Sequence, residues 1–250
     1  MKTKLDSVIA NVYNLDQVLA VLKERLNLSP FLTNTITIEQ DKKVRMALVS
    51  LSNGDFEFIE CAEQPRPAQM CAFTEIHIEC PMVQEETCIE LEEGLSVWAF
   101  PGAKPMITMI TAHSTQPAAD TEVLLHFCYN SCEHPLPDDG KEFVIEGIKI
   151  HFISQGTVGN PSPLLEDFSS IHGWRRFSLK VHQLEPAVDL LEKAGARTIV
   201  PIFAVMPGLR EAILTLPSGL IIQPVEQKLL KMMPHFLWQK LTEKKEVEHG

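Results

Sequence analysis

The sequence predicts an α+β fold built on a repeated β-α-β-β-β unit, with a β-rich block between the two copies. Three observations predict it. Val12, Leu15, Val18, Leu19 and Leu22 fall over Val181, Leu184, Ala187, Val188 and Leu191 at a constant offset of 169 residues, without a gap. Each helical stretch is preceded by one alternating run and followed by three. The 250-residue chain is 45% hydrophobic and 22% charged, which is the composition of a well-buried globular protein and excludes disordered and fibrous classes.

In the first copy, Val8, Ala10 and Val12 alternate with Ser7, Ile9 and Asn11, as a strand with one buried face does. Asn14 then suits an N-cap, with Gln17 three residues on, and Leu15, Val18, Leu19, Leu22 and Leu26 recur at helical spacing. Three strand-like runs follow, 33–39, 43–51 and 56–61, and Asn53-Gly54 between the last two suits a tight hairpin turn. The second copy runs from Arg175 to Val181, through a helix at Leu184, Val188 and Leu191 closed by Gly195. Strands at 197–203, 209–216 and 220–225 complete it. The chain divides on this reading into residues 1–62, a middle block 63–171, residues 172–226, and an amphipathic tail 227–250.

The middle block is entered through Gln64-Pro65-Arg66-Pro67 and left through Gly159-Asn160-Pro161-Ser162-Pro163, both loop signals. Within it, 74–80, 95–100, 106–113 and 122–129 read as strands, 83–91 as a helix, and 143–145 with 148–153 as a hairpin. That pattern fits either a degenerate third copy or an antiparallel insertion that enlarges the sheet. Glu85, Glu86, Glu90, Glu92 and Glu93 read as a solvated helix face.

Charge and motifs narrow the function. Lysine and arginine number 22 against 33 acidic residues, a net charge of -11, so a nucleic-acid partner is not expected. No stretch of about 18 apolar residues and no leader pattern is present, and the expected location is the cytoplasm. The six cysteines are accordingly read as thiols, and Cys128, Cys132 and His134 lack a fourth zinc ligand. Acyl-transfer and nucleotide-binding glycine motifs are absent. The tail, with Leu229, Leu230, Met232, Met233, Phe236, Leu237, Trp238 and Leu241, is read as packing on the sheet or across a homo-oligomer, because Pro234 interrupts a membrane-surface helix.

The segments Leu5-Asp6-Ser7-Val8, Asn14-Leu15-Asp16 and 53–60, together with 177–181, Leu184-Glu185, Ala194-Gly195-Ala196 and 216–223, resemble the vicinal oxygen chelate superfamily. That group contains glyoxalase I, bleomycin-resistance proteins and extradiol dioxygenases. The resemblance implies paired modules whose curled mixed sheets form a cup, and a divalent metal held by a first-strand His and a last-strand Glu of the participating modules. At the first-strand places stand Ser7 and Arg176, and at the last-strand places Glu57 and Gln223. Of these only Glu57 matches the metal pattern, since a guanidinium has no lone pair for a cation and a serine hydroxyl is a weak ligand.

The usual metal site is therefore read as lost, with no cofactor expected. Arg176, Ser178 and Lys180 share one strand face by alternation, opposite Phe177, Leu179 and Val181. They define, with Gln223, Ser7 and Glu57, a cup for an anionic or polar small molecule, because an arginine can hold a carboxylate or phosphate at two points. A plainer reading pairs Arg176 with Glu57 in the space a metal would fill. One alternative is a metal-dependent lyase, isomerase or dioxygenase with ligands drawn from His77, His126, Glu57 and Glu79. Another is a protein-interaction module that uses the acidic block and the apolar tail.

Overall fold

The computed structural model describes residues 3–37, 43–60, 73–128, 132–135, 139–154 and 173–228. The loop signals at 64–67 and 159–163 and the tail beyond 228 lie outside these residues. The first copy is β1 (Lys4–Val12), α1 (Leu15–Leu26), β2 (Leu32–Thr37), β3 (Lys43–Leu51) and β4 (Gly54–Glu60). The middle follows as β5 (Phe73–Cys80), β6 (Thr87–Glu92), β7 (Leu95–Pro101), β8 (Met106–Ser114), α2 (Pro117–Phe127), β9 (Cys132–Pro135), β10 (Lys141–Ile145) and β11 (Ile148–Ser154). The second copy is β12 (Gly173–Val181), α3 (Leu184–Lys193), β13 (Arg197–Met206), β14 (Leu209–Thr215) and β15 (Ile221–Gln227).

These strands make two mixed sheets. The first, ordered β13-β14-β15-β12-β1-β4-β3-β2, is composed entirely of the two repeat copies, joined where β1 runs antiparallel to β12. The second, β6-β7-β5-β8-β11-β10-β9, is composed entirely of the middle block. The insertion that would have enlarged the first sheet is thus a sheet of its own. Its parallel pairs, β5 with β7 and β8 with β11, repeat the pairing of β1 with β4 and β12 with β15.

The helices form where capping and apolar spacing agree. Asn14 Oδ1 accepts the Gln17 amide at 3.0 Å, and Leu15, Val18, Leu22 and Leu26 are buried on one face of α1. Gly195, with φ +113°, takes the left-handed position just past α3. One apolar core unites both sheets and all three helices, and Phe73 of β5 meets Phe177 of β12 with ring centres 5.8 Å apart.

Two expectations for the middle block fail. Residues 83–91 are not helical: Pro81 and Met82 form a turn and the chain stays irregular to Glu86, after which Ile89 and Leu91 alternate inward along β6. Of the expected strand 122–129, residues 122–127 are helical and Tyr129 lies outside the described residues. Pro117 starts a helix there and Asp120, Val123, Leu124 and Phe127 bury one of its faces, so the three-to-four spacing prevails over a two-residue alternation. The acidic run is not uniformly solvated either. Glu92 is buried, and its carboxylate accepts the backbone amides of Tyr13 at 2.9 Å and Asn14 at 3.1 Å, binding β6 to the start of α1. No helix among the described residues is long and apolar enough to cross a membrane.

Candidate functional site

The concave face of the first sheet gathers the polar residues. On β12, Phe177, Leu179 and Val181 enter the core while Arg176, Ser178 and Lys180 face the cup. On β1 a bulge between Leu5 and Val8 sets two residues, Asp6 and Ser7, against Ser178 alone, so both turn into the cup. Ser178 Oγ accepts the Ser7 amide at 2.9 Å, shares a 2.7 Å hydrogen bond with Ser7 Oγ, and lies 3.5 Å from Asp6 Oδ2. Ser7 Oγ also reaches Glu57 Oε2 at 3.4 Å. All six residues singled out in the sequence, Ser7, Glu57, Arg176, Ser178, Lys180 and Gln223, therefore stand on one face.

Arg176 is the centre of this face. It is 6% exposed, and its Nε donates to Gln223 Oε1 at 2.9 Å, while Gln223 Nε2 donates to Glu211 Oε2 at 2.5 Å. Burial pushes the guanidinium pKa down, against the attraction of Glu57 and Glu211. Burial likewise pushes the Glu57 carboxyl up, opposed by Arg176 and reinforced by Asp6. Glu211 is raised to about 7, by burial first and by repulsion from Glu57 second. Asp6 is raised by burial, with Lys180 acting against and Asp55 with the shift, and burial raises Asp55 too. Four carboxyls thus share a face with two cations, and burial pushes all four towards weaker acidity.

A cavity of about 370 Å³ opens at the mouth of the cup, lined by Lys4, Asp6, Asn53, Asp55, Glu146, Lys180 and Gln227 among others. Lys180 Nζ donates to Gln227 Oε1 at 2.5 Å, and Gln227 Nε2 donates to Asp6 Oδ1 at 3.0 Å. The second sheet fixes this mouth from outside. The Asn53 side chain pairs with Ile107 of β8 through its Nδ2 at 2.7 Å and its Oδ1 at 2.9 Å, and Lys4 meets Glu146 of the β10–β11 turn at 3.5 Å. Gly54 sits where a Cβ would lie 3.2 Å from Leu5 Cδ2 and 3.4 Å from the Asp6 carbonyl, so a side chain there would crowd the bulge.

Sequence reasoning missed Asp6, Asp55, Glu211 and Gln227. A two-residue alternation assigns Asp6 to the core face, and only the bulge reverses it. Glu211 was within reach, because its alternation with Ala212 and Leu214 and the hairpin pairing of β14 with β15 place it near Gln223.

The donor set at the superfamily's metal positions does not suit a divalent cation. Ser7, Arg176, Glu57 and Gln223 supply one carboxylate, a weak hydroxyl, an amide oxygen already accepting a hydrogen bond from Arg176, and a guanidinium that repels a metal ion. The alternative set is also dispersed. Glu57 belongs to the first cup, His77 and Glu79 to the second sheet, and His126 is an exposed residue of α2 with its Nδ1 2.9 Å from the Glu122 carbonyl of its own turn. Among the described residues no group of three or more His, Cys, Asp or Glu is placed to hold a metal ion. Cys128 is buried at the end of α2, and burial raises its thiol to about 12.

No protein-family model and no curated protein matches the chain. Solved structures do. Glyoxalase I from Zea mays superposes with a TM-score of 0.69 at 10% identity, over 90% of this chain and 92% of that one, and its V278E mutant with 0.71 over the same shares. A putative dioxygenase from Bacillus subtilis superposes with 0.62 at 11% identity, over 90% of this chain and 85% of that one. The order of the elements, the two mixed sheets, one of them strongly curled, and these superpositions agree, and the chain has the fold of the vicinal oxygen chelate superfamily.

Proposed function

We propose that the chain binds a small polar organic molecule at the mouth of the first cup, in a site that works without a resident divalent cation. The observation that carries this reading is the convergence of Asp6, Lys180 and Gln227, from three strands, on one cavity of about 370 Å³. That volume lies in the range of small-molecule sites, and the walls offer a cation, a carboxylate and an amide at close quarters. Carboxyls outnumber cations here, which favours a ligand carrying both an anionic or acceptor group for Lys180 and a donor for Asp6 over a plain anion. Arg176 supports the site from below. Its charge is committed to Gln223 and to the neighbouring carboxylates, so it holds the floor in shape more than it offers a free binding fork.

The test is thermal stabilisation of the purified chain by a panel of small amino and hydroxy acids. A ligand of this site raises the melting temperature of the wild type and does so far less in Lys180→Ala, which keeps the cup floor intact. A ligand whose stabilisation persists unchanged in Lys180→Ala and in Asp6→Asn binds elsewhere, and the proposal then fails for this cavity.

A further inference from the structure

The second sheet has an outer face, opposite the core, whose chemistry differs from that of the first cup. On β5, Ile76 and Ile78 enter the core while Glu75, His77 and Glu79 face outward; on β7, Val97 and Ala99 enter the core while Ser96, Trp98 and Phe100 face outward. The parallel register sets His77 beside Trp98 and Glu79 beside Phe100. The edge strand β6 adds Cys88 opposite Trp98 and Glu90 opposite Ser96, both exposed. The His77 ring stacks on Phe100 with centres 5.1 Å apart and planes at 25°, and lies 6.3 Å from Trp98. Glu75 Oε2 is 3.4 Å from His77 Nε2.

Two features make this more than a patch of surface aromatics. Trp98 and Phe100 are only partly buried although His77 stacks on Phe100, and they stand between carboxylates on both sides. The three strands β5, β6 and β7 hold Glu75, Glu79 and Glu90 on this face and no lysine or arginine at all. Two strands away, Lys149 is directed to Glu142, its Nζ 3.5 Å from Glu142 Oε2, and Glu142 is in turn 2.6 Å from His151 Nε2. The Glu79 side chain lies over Gly102, where a Cβ would stand 2.5 Å from Glu79 Cβ and 2.9 Å from its Oε2, so only glycine leaves room for it there. Ring faces attract a cation through their negative quadrupole, and nearby carboxylates add a Coulomb attraction that needs no covalent or hydrogen-bonded contact.

We infer that this face binds an organic cation, with a quaternary ammonium or comparably diffuse charge seated over Trp98 and Phe100 and held by Glu75 and Glu79. The site is separate from the cavity of the first cup and does not depend on that reading. Charge complementarity selects the occupant. An anion meets three carboxylates, and a neutral apolar group finds the rings but gains nothing from the acids.

The experiment titrates the full chain with choline and with 3,3-dimethyl-1-butanol, its uncharged carbon isostere, reading tryptophan fluorescence and calorimetry. The expected result is saturable choline binding at one site per chain, about tenfold tighter than the isostere. Trp98→Leu abolishes it, Glu79→Gln weakens it several-fold, and Lys180→Ala in the first cup leaves it unchanged. Trp98→Phe, which keeps a ring face and the packing, retains part of the binding and guards against a Trp98→Leu chain that fails to fold. Absence of saturable choline binding overturns the inference, as does equal affinity for the isostere, or full binding in both Trp98→Leu and Glu79→Gln.

Discussion

Glu60 and Glu226 hold the same post in the two copies of the repeat. Glu60 Oε1 accepts the backbone amide of Leu15, the first residue of α1, at 3.3 Å, and Glu226 Oε2 accepts that of Leu184, the first residue of α3, at 3.0 Å. An arginine completes each arrangement. Arg45 joins Glu60 to Asp16 in the first turn of α1, and Arg210 joins Glu226 to Glu185 in the first turn of α3. A carboxylate at a helix N-terminus satisfies an amide that has no partner within the helix and meets the positive end of its dipole.

The two posts differ in strength. The Glu226 side chain is 3% exposed against 24% for Glu60, and its carboxyl is lowered to about 2: burial would raise it, but Lys228, Arg210 and the Leu184 amide outweigh that effect. A depressed carboxyl stabilises the fold above its unfolded pKa near 4.5 and loses that contribution as pH falls towards 2. Glu226→Gln should therefore cost about 2 kcal/mol at pH 7 and progressively less below pH 4.5, in urea unfolding followed across that range. Glu60→Gln should cost well under half as much.

Glu211 carries the opposite sign. Its folded pKa, raised to about 7, exceeds the ordinary value of 4.5, so the folded chain holds a proton that the unfolded chain releases. Stability falls as pH rises from 4.5 to 7 on account of this residue, and no further above that. Glu211→Gln removes the titration and keeps a side chain of the same shape. Its stability relative to wild type should rise between pH 5 and pH 8, and a difference that stays flat across that interval would show that Glu211 does not titrate there.

Arg176 and Glu57 should couple. Removing a buried cation leaves its carboxylate neighbours without compensation, which costs about 3 to 5 kcal/mol, and Arg176→Met should fall in that range. Glu57→Gln made on top of Arg176→Met discharges one of those carboxylates. The double mutant should recover at least about 1 kcal/mol relative to the sum of the single changes, measured in a denaturation cycle at pH 7. Strict additivity would mean that Arg176 answers to Glu211 and Gln223 alone.

The sequence told more about the ends of the chain than about its middle, for physical reasons. In the two copies, buried Leu and Val residues keep their spacing through strand and helix, so Leu15 and Leu184, or Val18 and Ala187, can be matched directly. In the middle, β6 follows β5 after a six-residue turn with no helix between them, which removes the strongest periodic signal of the unit. The helix that is present, α2, was masked by a coincidental alternation at Leu124, His126 and Cys128. In the cup, alternation along β12 found Arg176, Ser178 and Lys180, because that part of the strand is regular. It could not find Asp6, since a bulge is a property of the pairing between β1 and β12 and not of either strand alone.

That bulge makes a last prediction from Ser178. Its side chain is 1% exposed, and its Oγ is the acceptor for the Ser7 amide, a backbone group that the bulge removes from the regular ladder. Ser178→Ala leaves that N–H buried without an acceptor and should cost about 1 to 3 kcal/mol. Ser7→Ala removes a hydroxyl but leaves its own amide bonded to Ser178, so it should cost about 1 kcal/mol or less. The asymmetry between two serines whose hydroxyls touch is the diagnostic, read from urea midpoints at constant slope. Equal losses in the two variants would place the stabilisation in the hydroxyl pair, whereas a larger loss at Ser178 places it in the bulge, with Asp6 held towards Lys180 and Gln227 as the consequence.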